Sequence, residues 1–166
     1  VKGVTQPDPP VGENFVRECQ WEPSVEFEIP KDWLSGVYLG KMTAKDSGIQ
    51  SYVIFIVRDD RPCDLLFQCS DLTWSAYNRW PADYSIYTEH KDWKSIGAPS
   101  GMVSFDRPYG LFTHPVNKIK TSGGSGEYLP WEFPMSYWLE QYGYDVSYIS
   151  NVCLLYTSPS PRDCRL

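Results

Sequence analysis

Three β-strands are predicted in quick succession, and the short gaps between them restrict the topologies that this chain can adopt. The predicted strands cover Gly36–Thr43, residues 51–58 and residues 64–69. The connections 44–50 and 59–63 are too short for the helical crossover that joins neighbouring parallel strands. We therefore expect the first two strands to pair antiparallel, and the third can continue that arrangement. The unbroken apolar run from Tyr52 to Val57 predicts burial of the middle strand on both faces.

The second half of the chain has the order of elements that is typical of a crossover in an α/β sheet. After the third strand a short helix is predicted, which Ser70 or Asp71 can cap and which Pro81 would end. A second helix is predicted over residues 131–142 from its broad apolar face, and a strand over residues 144–149 follows it at once. Strand, helices and strand in this order indicate an α/β fold.

Irregular segments surround these elements. Residues 81–127 form a long insertion with a possible strand at 102–105 and a Gly-Ser tract at 122–126, and insertions of this length are usually functional or mobile. Gly143 is placed to end the second helix. Five prolines in residues 1–32 oppose a helix there, so we interpret this segment as a lead-in or linker from an upstream domain.

The last residues of the chain leave the α/β pattern. Residues 153–166 resemble a translated sequencing-adapter read of the kind found in metagenomic assemblies, and a natural disordered C-terminus is the alternative. On the first interpretation the natural sequence continues differently after Val152. The predicted organisation is a lead-in at 1–32, a partial α/β domain at 33–152 and a non-native tail at 153–166.

Composition argues against nucleic acids and membranes as partners. The net charge of −6 gives no basic excess for a phosphate backbone or an anionic membrane surface. The longest apolar run, from Tyr52 to Val57, is far shorter than the roughly 20 residues that a membrane-spanning helix needs. The five cysteines are odd in number and match no zinc-site spacing, so we interpret them as buried thiols, with Cys69 a weak candidate nucleophile.

Two tyrosines lie among glycine, serine and tryptophan at the boundaries of predicted elements. Tyr38 follows Ser35-Gly36-Val37, and Tyr77 lies in the block Thr73-Trp74-Ser75-Ala76-Tyr77-Asn78, just past the third strand. Ligands in open α/β sheets bind beyond the carboxyl ends of the strands. If the two phenols meet, they can bind a hard, highly charged metal ion, because oxygen donors select hard ions. Packing or stacking is the alternative role for both rings.

Five blocks of the chain stand in an order shared with one protein family. They are Ser35-Gly36-Val37-Tyr38-Leu39, Tyr52 to Asp59, Thr73 to Asn78, Ser104-Phe105-Asp106-Arg107-Pro108-Tyr109, and Trp138-Leu139-Glu140 with Gly143-Tyr144-Asp145-Val146-Ser147-Tyr148. In these blocks the chain resembles the C-terminal domain of the large (β) subunit of N,N-dimethylformamidase. The resemblance covers residues 33–152 and is most specific in the block that contains Tyr77.

This resemblance implies a glutamine-amidotransferase-like α/β sheet, of which the chain would be a fragment with an antiparallel β extension at its N-terminal side. It also implies hydrolysis of the C–N bond of a small amide at a mononuclear Fe(3+) site. Tyr38 and Tyr77 correspond to the two tyrosine ligands of that iron. Asn78, beside Tyr77, could orient the substrate or cap a turn. The resemblance further implies a small partner subunit.

The third iron ligand that the resemblance implies has no counterpart in the sequence. It is a glutamate in a His-Asp-Glu-Tyr-Trp-like segment after the strand that corresponds to residues 144–149, and the tail occupies that place. Glu140 belongs to a different block and does not take this role. We therefore expect the 166-residue chain to be inactive by itself, even if the intact parent is a formamidase-type amidohydrolase.

Two other interpretations compete with the hydrolase. One is a non-catalytic domain of a larger extracellular protein that binds a ligand, such as a carbohydrate, in an aromatic pocket. The other is a structural fragment without a function of its own. Trp74, Trp80 and Trp93 could line such a pocket or fill the core, and we favour the core.

The remaining titratable residues give weaker signals. His114 and His90 are minor candidates for a ligand or a base, and an exposed position is expected for His114. Arg58 and Arg107 each adjoin an aspartate, and structural ion pairs are expected for both.

Overall fold

The structure is a computed structural model that describes residues 7–80, 86, 102–110 and 122–157. The strands are β1 (Val16–Arg17), β2 (Gly36–Thr43), β3 (Gln50–Val57), β4 (Leu65–Cys69), β5 (Met102–Val103) and β6 (Val146–Ser150). The helices are α1 (Asp71–Tyr77), α2 (Phe133–Gln141) and α3 (Asn151–Thr157), with a 3-10 turn at Glu13–Phe15 and a π-helical turn at Tyr128–Glu132. This mixture is compatible with the predicted α/β class. The finer glutamine-amidotransferase-like assignment stays a prediction, because the described sheets have two strands each.

The ribbon formed by β2 and β3 confirms the predicted antiparallel pair. Its register runs from Gly36 opposite Val57 to Thr43 opposite Gln50. Gly48 closes the connecting turn with a φ of +67°, a left-handed conformation that glycine adopts without strain. The predicted burial of β3 on both faces is wrong, because Val53 is exposed within this two-stranded ribbon of the described chain.

The parallel pair of β4 and β6 confirms the predicted crossover. Leu65 lies opposite Val146, and Cys69 lies opposite Ser150 at the carboxyl end of the pair. The idea that the third strand continues the antiparallel ribbon is wrong, since β4 takes its hydrogen bonds from β6 instead. A separate short parallel pair joins β1 to β5. The possible strand at 102–105 is therefore present in a shorter form.

Helix α1 begins where predicted but ends earlier. Ser70 is the N-cap residue, although its side chain makes no capping hydrogen bond. Asn78 is already extended, with φ −64° and ψ 115°, so the helix stops before Pro81 is reached.

Helix α2 ends at the predicted glycine. Gly143 has a φ of +75°, and its N–H donates to the Glu140 carbonyl at 3.0 Å. The Tyr144 N–H donates to the Leu139 carbonyl at 3.1 Å. These bonds satisfy carbonyls at the end of the helix, as a left-handed C-terminal glycine usually does.

The Gly-Ser tract at 122–126 is packed against β3. The Gly123 carbonyl accepts the N–H of Tyr52 at 2.7 Å and the hydroxyl of Ser51 at 3.2 Å. Gly124 has a φ of +95°, and a Cβ placed on it would lie 2.2 Å from the Tyr52 carbonyl oxygen. The tract is therefore a close backbone contact between the insertion and the ribbon.

One buried cluster joins the parallel pair to the helices. Its members are Cys69, Trp74, Tyr128, Leu139, Val146 and Tyr148. Helix α3 follows β6 directly and extends into the segment predicted to be a non-native tail, and the predicted division of the chain at 32 and 152 stays a prediction. No helix in the described part of the chain is long and apolar enough to cross a bilayer.

Candidate functional site

Tyr38 lies on β2 in a stack of three rings. Its ring centroid is 4.5 Å from that of Trp33 and 5.7 Å from that of Phe55, with interplanar angles of 19° and 13°. The Tyr38 hydroxyl donates to the Leu34 carbonyl at 2.8 Å, and this bond is exposed to solvent. The ring is therefore fixed by packing, whereas the oxygen remains at the surface.

The residue that starts the Tyr38 block ties the ribbon to β6. The Ser35 hydroxyl accepts the N–H of Tyr148 at 2.8 Å and donates to the Val57 carbonyl at 2.9 Å. Next to it, the Ser147 hydroxyl donates to Asp59 at 2.6 Å. These bonds fix the start of β2 against the parallel pair.

Tyr77 is the last residue of α1, beyond the carboxyl end of β4. Its side chain is 59% exposed. Within the described residues its hydroxyl makes no hydrogen bond, and no hydrogen bond or ring contact joins it to Tyr38. The structure thus presents the Tyr77 phenol to solvent at the strand end where a ligand was expected.

Asn78 is buried and its side-chain amide binds backbone groups. Its Nδ2 donates to the Pro108 carbonyl at 2.9 Å. Its Oδ1 accepts the N–H of Gly110 at 2.9 Å and the N–H of Trp80 at 3.2 Å. These contacts hold the segment 108–110 to the end of α1, and a role for Asn78 in orienting substrate stays a prediction.

Arg107 is buried and binds carbonyl groups. Its guanidinium donates to the carbonyls of Ser104 at 3.1 Å and Asn78 at 3.2 Å, and also to the carbonyl and hydroxyl of Ser75. Burial lowers the pKa of Arg107. The expected ion pair with the adjacent Asp106 is wrong, because these carbonyls occupy the donors.

Arg58 does form a structural ion pair, but with a different aspartate. Its guanidinium lies 3.1 Å from Asp60, and the adjacent Asp59 pairs instead with Arg61 at 3.0 Å. Both pairs are partly exposed and contribute little to stability.

Glu132 supports the element that carries Tyr77, and this role was not predicted from the sequence. Its carboxylate accepts the Trp74 indole N–H at 2.7 Å and the Ser70 N–H at 3.1 Å. Burial raises its pKa, although these two hydrogen bonds oppose the rise. The sequence did contain a signal for this role, which is a charged residue between the aromatic residues Trp131 and Phe133. A charged side chain that is partly removed from water needs hydrogen-bond partners.

Cys69 is a buried thiol, as interpreted from the sequence. It is 0% exposed, and burial together with the Glu132 and Asp71 carboxylates raises its pKa to about 12. A thiol of this kind stays protonated and is a poor nucleophile. The interpretation as buried thiols is too strong for Cys19, Cys63 and Cys153, which are only half-buried.

The predictions for the tryptophans and histidines have mixed outcomes. Trp74 is 2% exposed and belongs to the core cluster, as favoured. Trp80 is half-buried and meets Trp21 edge-on, with ring centroids 5.9 Å apart. Trp93, His90 and His114 lie outside the described residues. The described part of the chain contains no group of three or more His, Cys, Asp or Glu side chains that could hold a metal ion.

Comparison with known proteins decides the family. The family model described as N,N-dimethylformamidase beta subunit-like, C-terminal, matches residues 1–163. This chain belongs to that family. No curated protein and no solved structure matches it. The N,N-dimethylformamidase-like match is longer than the resemblance expected at 33–152, and it supports a hydrolase-type domain.

The phenol oxygens of Tyr38 and Tyr77 in this N,N-dimethylformamidase-like domain are of the type that hard metal ions prefer, and a metal site at them stays a prediction. Tyr77 offers an exposed phenol oxygen. Tyr38 would have to release its bond to the Leu34 carbonyl, which costs little because water can replace it at this exposed position. Glu140 is already engaged, since its carboxylate accepts the Tyr148 hydroxyl at 2.6 Å.

Proposed function

We propose that this chain is a metal-dependent amide hydrolase domain of the N,N-dimethylformamidase type, in which Tyr38 and Tyr77 are ligands of Fe(3+). One observation carries the proposal. Tyr77 leaves its phenol exposed just beyond the carboxyl end of a parallel strand, and it does so in a chain of the dimethylformamidase family. Core tyrosines are normally packed, so an exposed phenol at this location supports a ligand role over a packing role.

The chemistry of phenols agrees with a ferric site. A phenol has a pKa near 10 and is a weak ligand at neutral pH unless a strong positive charge favours the phenolate. When bound, Fe(3+) supplies an activated water and polarises the amide carbonyl. The chain's own residues hold and orient the phenols: Trp33 and Phe55 fix the ring of Tyr38, and the packed end of α1 fixes the backbone of Tyr77.

We propose that the 166-residue chain does not hydrolyse amides by itself. Two phenolates leave the coordination of Fe(3+) incomplete, and the sequence lacks the His-Asp-Glu-Tyr-Trp-like segment that would supply a glutamate. The Oε1 of Glu140 already accepts the Tyr148 hydroxyl, and Glu140 belongs to a different sequence block from the expected glutamate. A small partner subunit and a small amide substrate belong to the same proposal.

Metal analysis tests this function. The chain is incubated with ferric nitrilotriacetate, desalted and assayed for iron, together with Tyr77→Phe and the control Tyr137→Phe, which removes an exposed hydroxyl from α2. We expect bound iron in the wild type and the control and a loss of iron in Tyr77→Phe. Formate release from N,N-dimethylformamide should be absent in all three. Equal iron in all three proteins contradicts the proposed site.

The alternative is a non-catalytic domain that binds a ligand such as a carbohydrate, and the surface of α2 favours it. Trp138 on this helix, Trp131 in the turn before it and Tyr142 just after it are exposed, and aromatic rings are suitable surfaces for the apolar faces of ligands. Trp74 is in the core and cannot contact such a ligand. Saturable oligosaccharide binding that Trp138→Ala abolishes and Tyr77→Phe preserves would establish this alternative.

A further inference from the structure

Two charged side chains of opposite sign, the half-buried Glu132 and the buried Arg107, hold the two ends of α1. Glu132 lies at the N-terminal end and Arg107 at the C-terminal end. A helix carries a partial positive charge at its N-terminus and a partial negative charge at its C-terminus, so each side chain has the sign that stabilises its end. With only 7 residues, α1 has little stability of its own and depends on such contacts.

The contacts at the N-terminal end fix where α1 starts. Glu132 binds the N–H of Ser70 and the indole of Trp74, one turn along the helix. Ser70 provides no side-chain cap, and the Glu132 carboxylate instead binds the backbone N–H of this N-cap residue.

The contacts at the C-terminal end enclose Tyr77. Arg107 binds the carbonyl of Ser75, two residues before Tyr77, and the carbonyl of Asn78, the residue after it. One planar guanidinium therefore fixes the backbone on both sides of an exposed phenol. The Asn78 side chain adds bonds to the segment that follows Arg107, at Pro108 and Gly110.

We propose that Arg107 is a positioning residue for Tyr77, which sets the direction of its phenol by holding the flanking carbonyls in one rigid arrangement. This inference rests on the proposed function in one respect, which is that the phenol of Tyr77 is positioned to bind Fe(3+). The planar guanidinium is essential to this role, because an ammonium group carries its three donors on one nitrogen and cannot reproduce the separate contacts to Ser75 and Asn78 together.

The experiment distinguishes the positioning of Tyr77 from the effect of the Arg107 charge and from a general loss of stability. 3-Fluorotyrosine is placed at position 77 in the wild-type chain, in Arg107→Lys, in Arg107→Gln and in Arg58→Gln. Arg58 is the control, since it is exposed and forms an ion pair with Asp60. The fluorine NMR shift and line width at residue 77 report its surroundings without metal, and thermal unfolding reports stability. Arg107→Lys keeps the charge, so it provides a folded variant if Arg107→Gln unfolds.

We expect Arg107→Lys to change the fluorine signal while Arg58→Gln leaves it unchanged. We further expect iron affinity to fall roughly tenfold in Arg107→Lys, the scale of one lost charged hydrogen bond. A fluorine signal in Arg107→Lys identical to that of the wild type overturns the inference. If the wild type binds no iron but Arg107→Lys still changes the signal, the positioning role stands and the ferric function fails.

Discussion

The indole nitrogen of Trp74 donates to the Glu132 carboxylate at 2.7 Å, across 58 residues of sequence. This bond joins α1 to the turn that precedes α2, and so joins the two halves of the crossover. It places a half-buried carboxylate near the buried thiol of Cys69. The burial of that carboxylate leads directly to a pH dependence of stability.

The free energy of unfolding should fall as the pH rises through the pKa of Glu132. Because burial raises this pKa, the folded state holds the proton more tightly than the unfolded chain does. The contribution of Glu132 is therefore fully present below the ordinary glutamate pKa of roughly 4.3 and is lost above the folded value. Urea unfolding of the wild type and of Glu132→Gln from pH 4 to pH 7 measures this contribution to the free energy of unfolding.

We expect a smaller decline with pH in Glu132→Gln, because the amide accepts the indole bond but does not titrate in this range. Glu26→Gln is the control, since Glu26 is exposed. Identical pH dependence in the wild type and Glu132→Gln would show that folding does not raise the pKa of this half-buried carboxylate.

Gly124→Ala should destabilise the chain more than Gly48→Ala. Both glycines have positive φ, so both substitutions add backbone strain of about 1–3 kcal/mol. Only Gly124 has a backbone oxygen in the way, at 2.2 Å from an added Cβ, whereas an added Cβ at Gly48 meets nothing within 4 Å. Chemical denaturation gives both values, and a Gly124→Ala variant as stable as Gly48→Ala would contradict the packing of the Gly-Ser tract on β3.

Cys69 should resist alkylation in the folded chain. Its thiol is fully buried and its pKa is raised to about 12, so almost no thiolate exists at neutral pH. Iodoacetamide at pH 8 followed by peptide mass mapping should modify the half-buried Cys63 well before Cys69. In urea the two should react alike. Fast modification of Cys69 in the folded chain would contradict this prediction and would again make Cys69 a candidate nucleophile.

Local pattern was sufficient to predict the ribbon and the crossover. Short connections dictated the antiparallel pairing of β2 and β3, and Gly143 marked the end of α2. The end of α1 was missed because the extended conformation of Asn78 stops the helix before Pro81 can.

The hydrogen bonds that support the candidate site could not be predicted from local sequence patterns. Arg107 seemed paired with its neighbour Asp106, yet it binds the Asn78 carbonyl 29 residues away. Glu132 reaches Ser70 across 62 residues. Such contacts form because the crossover brings distant segments of the chain together. The spacing of residues in the sequence does not indicate which distant residues will meet. The Tyr77 block, in contrast, was visible because its residues are contiguous.

The most direct measurement is the visible absorbance of the chain during titration with ferric nitrilotriacetate, whose carboxylates supply oxygen ligands beside the two proposed phenolates. Phenolates bound to Fe(3+) give a charge-transfer band that free tyrosines lack. We predict a band in the wild type that disappears in Tyr77→Phe, weakens in Tyr38→Phe and is retained in Tyr137→Phe. A wild-type chain without the band, or a Tyr77→Phe variant that keeps it at full intensity, would contradict the account.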